Sequence, residues 1–239
     1  MLPRLLVLLA LAVATYAQNA RTAQATAPAD LTGYWVSQIV DEWRFRVTPQ
    51  KGDIAYLPIN AEARKVALAW DPDKDKADGV ECKAYGAVGV MQRPGRLHIT
   101  WKDENTLQMD ADAGTQTRLL HFEPAPEAGN EASWQGYSVA QWAVRNVGGR
   151  GPAPREGTLK IVTTKMRPGY IRKNGVPYGA GAKLTEYVNL LTGAQNDDYL
   201  SVTAMVEDPT YLTQPFVRTY TFKKVADASG WDPTPCWNK

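Results

Sequence analysis

From His98 to Val225 the chain is a succession of short runs rich in β-branched and aromatic residues, broken by turn chemistry, with no helical pattern alternating between them. The segment Thr106 to Asp112 shows the rule. Leu107, Met109 and Ala111 alternate with Gln108, Asp110 and Asp112. A period of two gives a strand with one dry and one wet face. Similar runs predict strands at 115–123, 134–145, 158–167, 182–191, 199–208 and 216–225, with His98-Ile99-Thr100-Trp101 before them. Asn174-Gly175 predicts a tight turn, since both residues tolerate positive φ. Strand after strand without intervening helices implies an all-β, antiparallel fold. A closed barrel removes the exposed edges and is the preferred solution, with a β-sandwich as the alternative. One short helix is expected over Ala61 to Trp70. Asn60 caps it, Asp71-Pro72 ends it, and Ala63, Val66, Ala67 and Trp70 fall on one face.

The amino terminus bounds the compartment. Arg4, the apolar run Leu5 to Val13 and the small-residue end Thr15-Tyr16-Ala17 read as a secretory signal peptide cleaved after Ala17. The run is too short to span a bilayer, so no membrane span is expected. Residues 18–29 read as a flexible lead-in and 30–239 as a single barrel domain. Export, to a periplasmic or extracellular space, argues against cytosolic cofactor chemistry, nucleotide-driven catalysis and gene regulation. Of 239 residues, 27 are Lys or Arg, one of them Arg4 in the leader, against 25 Asp or Glu. Near-neutrality gives nucleic-acid or anionic-membrane binding no electrostatic support. Cys82 and Cys236 are expected to bridge in an oxidising compartment. Two cysteines and two histidines supply a zinc site poorly, and no metal or cofactor is expected.

Leu31-Thr32-Gly33-Tyr34-Trp35 resembles the opening strand of lipocalin-like (calycin) barrels, which often begin Gly-x-Trp. A longer resemblance, from Leu31 to about Cys236, is to a group of exported bacterial proteins. It rests on Gly136-Tyr137-Ser138-Val139, Thr163-Thr164, Gly175-Val176-Pro177-Tyr178 and Glu207-Asp208-Pro209-Thr210-Tyr211-Leu212-Thr213-Gln214-Pro215. The resemblance implies a barrel fold and no particular activity.

Three local patterns carry little chemistry. Gly136-Tyr137-Ser138-Val139-Ala140 approaches a nucleophile elbow, but strand-like residues follow Ser138 and both histidines precede it. Asp71-Pro72-Asp73-Lys74-Asp75 opens like a calcium loop, then places Lys76 where glycine belongs and Cys82 where the bidentate glutamate belongs. Gly179-Ala180-Gly181-Ala182-Lys183 lacks the spacing of a phosphate cradle and reads as a turn.

Ionisable residues on apolar strand faces are more informative. Glu186 lies between Leu184 and Val188, Arg118 accompanies Leu120 and Phe122, and Arg218 accompanies Tyr220 and Phe222. Asp208 continues the face of Leu200, Val202, Ala204 and Val206. Buried charges must pair, so these groups either form a structural network or converge in a pocket. In a pocket, Arg118, Arg218 and Tyr220 would hold the polar end of a small, partly apolar ligand. Glu186 or Asp208 would be a base and His121 an acid. Three functions follow: a small-molecule binding protein using the lumen, a cofactor-free acid–base enzyme (isomerase, lyase or hydrolase) using the same cavity, or a structural or interaction protein with a filled barrel. Oligomeric state is not encoded legibly.

Overall fold

The computed structural model describes residues 22–40, 43–47, 49–123, 131–146, 155–195 and 197–236. The expected signal peptide lies outside the described residues. Eleven strands are formed among the described residues: β1 (Gly33–Gln38), β2 (Arg96–Asp103), β3 (Thr106–Ala111), β4 (Gln116–His121), β5 (Tyr137–Asn146), β6 (Arg155–Thr164), β7 (Gly169–Arg172), β8 (Val176–Tyr178), β9 (Lys183–Thr192), β10 (Asp198–Glu207) and β11 (Phe216–Val225). All but β7 and β8 make a closed barrel in the order β1-β11-β10-β9-β6-β5-β4-β3-β2. Each barrel strand neighbours the next in chain order once the β7–β8 hairpin is set aside. The ring is closed, so the sandwich is excluded.

The expected antiparallel pattern holds at every join but one. A closed ring of nine strands cannot alternate direction throughout, because an odd ring must contain a parallel pair. Here that pair is β4–β5, joined through only Leu120↔Ser138 and His121↔Val139. The long connection before β5 returns the chain to the starting end of the barrel, as a parallel crossover requires.

One face of each strand fills the lumen. Leu200, Val202, Ala204 and Val206 of β10 are buried, as are Leu184, Glu186 and Val188 of β9. Trp35, the aromatic of the opening Gly-x-Trp, is fully buried and donates its indole N–H to the Leu31 carbonyl at 3.0 Å. Phe222, Leu159, Ile99 and Leu107 are almost wholly buried in the same cluster.

The helical content exceeds the single helix expected. Among the described residues five short helices form: α1 (Ala23–Thr26), α2 (Trp43–Val47), α3 (Ala61–Ala69), α4 (Pro72–Ala77) and α5 (Ala87–Val90), with a 3₁₀ turn at Glu81–Ala84. Asn60 caps α3 as expected, its side-chain oxygen accepting the Ala63 N–H at 2.9 Å. Asp71-Pro72 ends α3 but also starts α4, with Asp71 accepting from Asp73 and Lys74. Residues 22–29, part of the expected flexible lead-in over 18–29, hold α1 against the β2–β3 turn. The Ala23 N–H reaches the Asn105 side chain at 2.8 Å and the Gln24 N–H reaches the Glu104 carbonyl at 3.0 Å.

Helices α2 to α5 and the β7–β8 hairpin cap one end of the barrel, where β2, β4, β5, β9 and β11 begin. The expected Asn174-Gly175 turn joins β7 to β8. Gly175 has φ +83°, and the Trp70 ring leaves no room for a Cβ there. The Asn174 side-chain N–H₂ holds the Gln50 and Asp53 carbonyls at 2.9 and 3.1 Å. Buried Asp75 accepts from the Trp70 indole, the Tyr170 hydroxyl and Lys83 at about the same 3.0 Å separation, which ties α4 to β7. The Cys82–Cys236 disulfide forms as expected and links the 3₁₀ turn to the carboxy-terminal tail across 154 residues.

That loop length makes the link a large restraint on the unfolded chain. Replacing both cysteines by serine should lower the free energy of unfolding by about 5 kcal/mol on the chain-entropy model, read by urea titration. A loss below about 1 kcal/mol would assign the tail's placement to packing instead.

Candidate functional site

The barrel interior holds one polar chord. Arg118 of β4 reaches across to Glu186 of β9, donating from Nη1 to Oε1 at 3.2 Å and from Nη2 to Oε2 at 2.6 Å. Nη2 also donates to Thr163 Oγ1 on β6 at 3.2 Å, and Thr163 shares a 2.8 Å hydroxyl bond with Ser138 on β5. The Glu186 side chain is 1 % exposed. The two groups that the sequence placed on separate apolar faces therefore meet as a forked ion pair. Both carboxylate oxygens are engaged, so Glu186 faces its partner and not an open cavity. Ser138 is buried within this network, with no histidine among its hydrogen-bond partners.

The other candidates part company. Asp208 is buried but serves a turn: Oδ2 accepts from the Gly179 N–H at 2.9 Å and Oδ1 from the Thr210 N–H at 3.0 Å. His121 stands three residues from Arg118, and an odd offset on a strand means the opposite face. It lies outside the barrel, stacked on Tyr137 with 5.0 Å between ring centroids. Burial pushes its pKa down, against a smaller upward pull from Asp103. It cannot join Glu186 as an acid. Arg218 faces inward at the capped rim, half-exposed, with its guanidinium 4.5 Å from the Phe216 ring centroid. Tyr220 is buried one step deeper, with Arg46 at 5.5 Å from its ring centroid.

Arg218 and Tyr220 border a second assembly that strand-pattern reading does not reveal. Beneath the cap, Arg46 of α2, Arg93 just after α5, and Arg172 of β7 are all buried. Arg46 donates to the Gln92 carbonyl at 3.2 Å and the Gln38 carbonyl at 2.9 Å. Arg172 stacks on Phe45 at 4.1 Å. Arg93 is 4 % exposed and donates from Nε to the Gly89 carbonyl at 3.3 Å. Its Nη1 and Nη2, both buried, have no hydrogen-bond partner among the described residues. Desolvation pushes its pKa down to about 10, and the Arg46 charge adds to the fall while Tyr85 and Tyr220 oppose it. Burial, and then the Arg93 charge, push Lys173 down as well. Elsewhere under the cap, beside Gly86 and Gly169, Tyr178 is raised by burial alone, and its hydroxyl has no hydrogen-bond partner among the described residues. The available sequence signal was slight: Arg93 is the first charge after the uncharged run Ala84 to Gln92.

A fork of two unpartnered guanidinium N–H₂ groups, walled by Tyr85 and Tyr220, is chemically complementary to a carboxylate, phosphate or sulfate. Among the described residues, no group of three or more His, Cys, Asp or Glu is placed to hold a metal. Two shallow depressions at the far end of the barrel flank residues 22–30, beside Trp101 and Trp142. Comparison with known proteins yields no matching family model, curated protein or solved structure.

The chord invites a double-mutant cycle. Glu186→Gln alone should cost about 3–5 kcal/mol of stability, because it leaves Arg118 buried without its charge partner. The double change Arg118→Met with Glu186→Leu should cost far less. Denaturant unfolding of the set measures the coupling, and additive losses would show that the two groups act independently.

Proposed function

We propose that this chain is an exported binding protein for a small, partly apolar molecule bearing an anionic group, taken in beneath the cap of the barrel. The observation that carries the reading is Arg93. A buried charge without a partner costs several kcal/mol, and a bound anion is the natural compensation. Tyr85 and Tyr220 lie close enough to act on its charge, and Phe45 and Phe216 flank the neighbouring buried Arg172, which together supply the aromatic surface usual in a small-molecule site. The leader-like amino terminus and the disulfide support export. A meander barrel opening on Gly33-Tyr34-Trp35 supports the calycin-like reading.

Two particulars shape the proposal. The middle of the lumen is packed with side chains, which favours a ligand at the capped end over one held deep in the barrel. The carboxylates offered as bases have their oxygens engaged, Glu186 by Arg118 and Asp208 by backbone N–H groups, which favours binding over acid–base catalysis.

Thermal unfolding in the presence of hexanoate, hexyl phosphate, hexyl sulfate and neutral hexanol tests the reading. At a hundredfold excess over Kd, a bound anion should stabilise the native protein by about 2.7 kcal/mol. Hexanol should do much less. Arg93→Met should unfold later than the wild type without ligand, by a gain on the order of 1–4 kcal/mol, and should lose the response to anions. An unchanged anion response in that variant would remove the proposal.

A further inference from the structure

The barrel end opposite the cap is crossed by the chain's own amino-terminal segment. Trp101 of β2, Phe122 just after β4 and Trp142 of β5 continue the inward-facing sides of their strands at this mouth and pack half-buried against the core. Their rings run in sequence, Trp101 to Phe122 at 5.5 Å and Phe122 to Trp142 at 6.4 Å between centroids. Residues 22–31 form a strap beside them. It is tied at α1 to Asn105 and Glu104 in the β2–β3 turn, reaches Gly157 of β6 through Pro28, and enters β1 at Gly33. Strands β6 and β1 stand four steps apart one way round the ring and five the other, so the strap spans the mouth.

Pro28 has a shaped seat. Gly157 holds an inward-facing position, in step with buried Leu159 and Ile161, where alternation would otherwise place a side chain. The Pro28 ring fills the place of the missing Cβ, and Trp142 Cε3 lies 3.4 Å from that place. A glycine within a strand often marks the close approach of another segment. Ala27 has φ −54° and ψ 126°, near polyproline II, and Ala29 packs on the core. We propose that this mouth is a docking groove for an extended, proline-bearing peptide, and that Ala27-Pro28-Ala29 occupies it in cis. Aromatic-lined grooves suit such peptides because the segment arrives already extended and low in entropy. The seated segment is the argument for that partner. Its hold is light: among the described residues Ala27 to Ala29 make no hydrogen bond to the barrel, and α1 is four residues long with none buried. The groove is also incompletely filled. Depressions of about 390 and 400 Å³ flank the strap, one beside Trp101 and one beside Phe122 and Trp142. The Trp142 indole N–H is buried with no hydrogen-bond partner among the described residues. A peptide with larger side chains around its proline would fill what the alanines leave. The described residues lining the two depressions include no Lys, Arg or His, which separates this groove chemically from the anion site under the cap.

Fluorescence anisotropy of a labelled peptide spanning residues 22–32 is the test. It compares wild type, Pro28→Asp, Gly157→Ala and the double variant, with thermal unfolding to establish that each is folded. Wild type should bind weakly, because its tethered strap competes at high effective concentration. Pro28→Asp sets a carboxylate against the Trp142 ring, so it should release the strap and bind the peptide at least about tenfold more tightly than wild type. The same peptide carrying Pro28→Ala should bind that variant much more weakly. Gly157→Ala puts a methyl group in the seat, so it and the double variant should not bind. A Pro28→Asp variant that binds no better than wild type overturns the proposal. Equal binding of the two peptides, or binding by the double variant that matches Pro28→Asp, overturns it too. The comparison of the two peptides needs only Pro28→Asp and stands even where Gly157→Ala fails to fold.

Discussion

The barrel closes at its thinnest join. Eight of the nine strand pairings are antiparallel, and β4–β5 is held by two residue pairs where its neighbours β3–β4 and β5–β6 have six and ten. The parity of the ring makes one parallel pairing unavoidable, and the crossover that produces it leaves little ladder to share. The chord crosses this seam from inside. Arg118 stands on one side of it and Ser138, Thr163 and Glu186 on the other three strands, so side-chain hydrogen bonds span where backbone bonds are few. Such a network tolerates burial because each carboxylate oxygen is matched to a guanidinium nitrogen. Specifying which strands meet is the role best suited to it, since an apolar replacement would pack without preferring one join over another.

The cap follows from the same meander. Between β6 and β9 the chain leaves the barrel to form the β7–β8 hairpin, and between β1 and β2 it leaves to form α2 to α5. Both excursions depart at one end, so they must pack on each other and on the barrel mouth. Polar side chains do much of the joining: Asn174 on the Gln50 and Asp53 carbonyls, Gln92 on the Ile171 carbonyl, and Asp75 among Trp70, Tyr170 and Lys83. The disulfide adds the tail to this assembly. Irregular backbone buried at a barrel mouth needs such partners, because its N–H and C=O groups have no ladder to join.

Much of the barrel was legible from period-two alternation. The run predicted at 216–225 coincides with β11, and those at 182–191 and 199–208 are displaced from β9 and β10 by one residue at each end. The helix start at Asn60, the Asn174-Gly175 turn and the disulfide were legible too, because each is set by local chemistry. The pairing of Arg118 with Glu186 was legible only as one of two outcomes, since alternation assigns a face but not a partner. His121 was misgrouped with Arg118 through proximity in sequence, although an offset of three on a strand reverses the face. The rest of the cap escaped because its pieces are three to nine residues long and its buried charges belong to a loop, short helices and a four-residue strand. Neither of the standard periods applies there.

Arg118 and Arg93 show what separates a structural charge from one available for recognition. Both are buried arginines in the same barrel. Arg118 meets a carboxylate whose geometry matches its fork, so its charge is spent within the fold. Arg93 meets the Gly89 carbonyl through Nε, its terminal nitrogens have no hydrogen-bond partner among the described residues, and the neighbouring Arg46 charge lowers its pKa further. No packing requirement explains a guanidinium there, because a methionine would fill similar volume without the desolvation cost. The inverted helix α2 lies against the same position, with its own arginine turned inward and its tryptophan turned out. One buried cation held short of partners, and one helix with its polar and apolar sides exchanged, are separate departures from ordinary folding physics. The proposed anion site is argued from the first, and the exposed side of α2 stands apart from it.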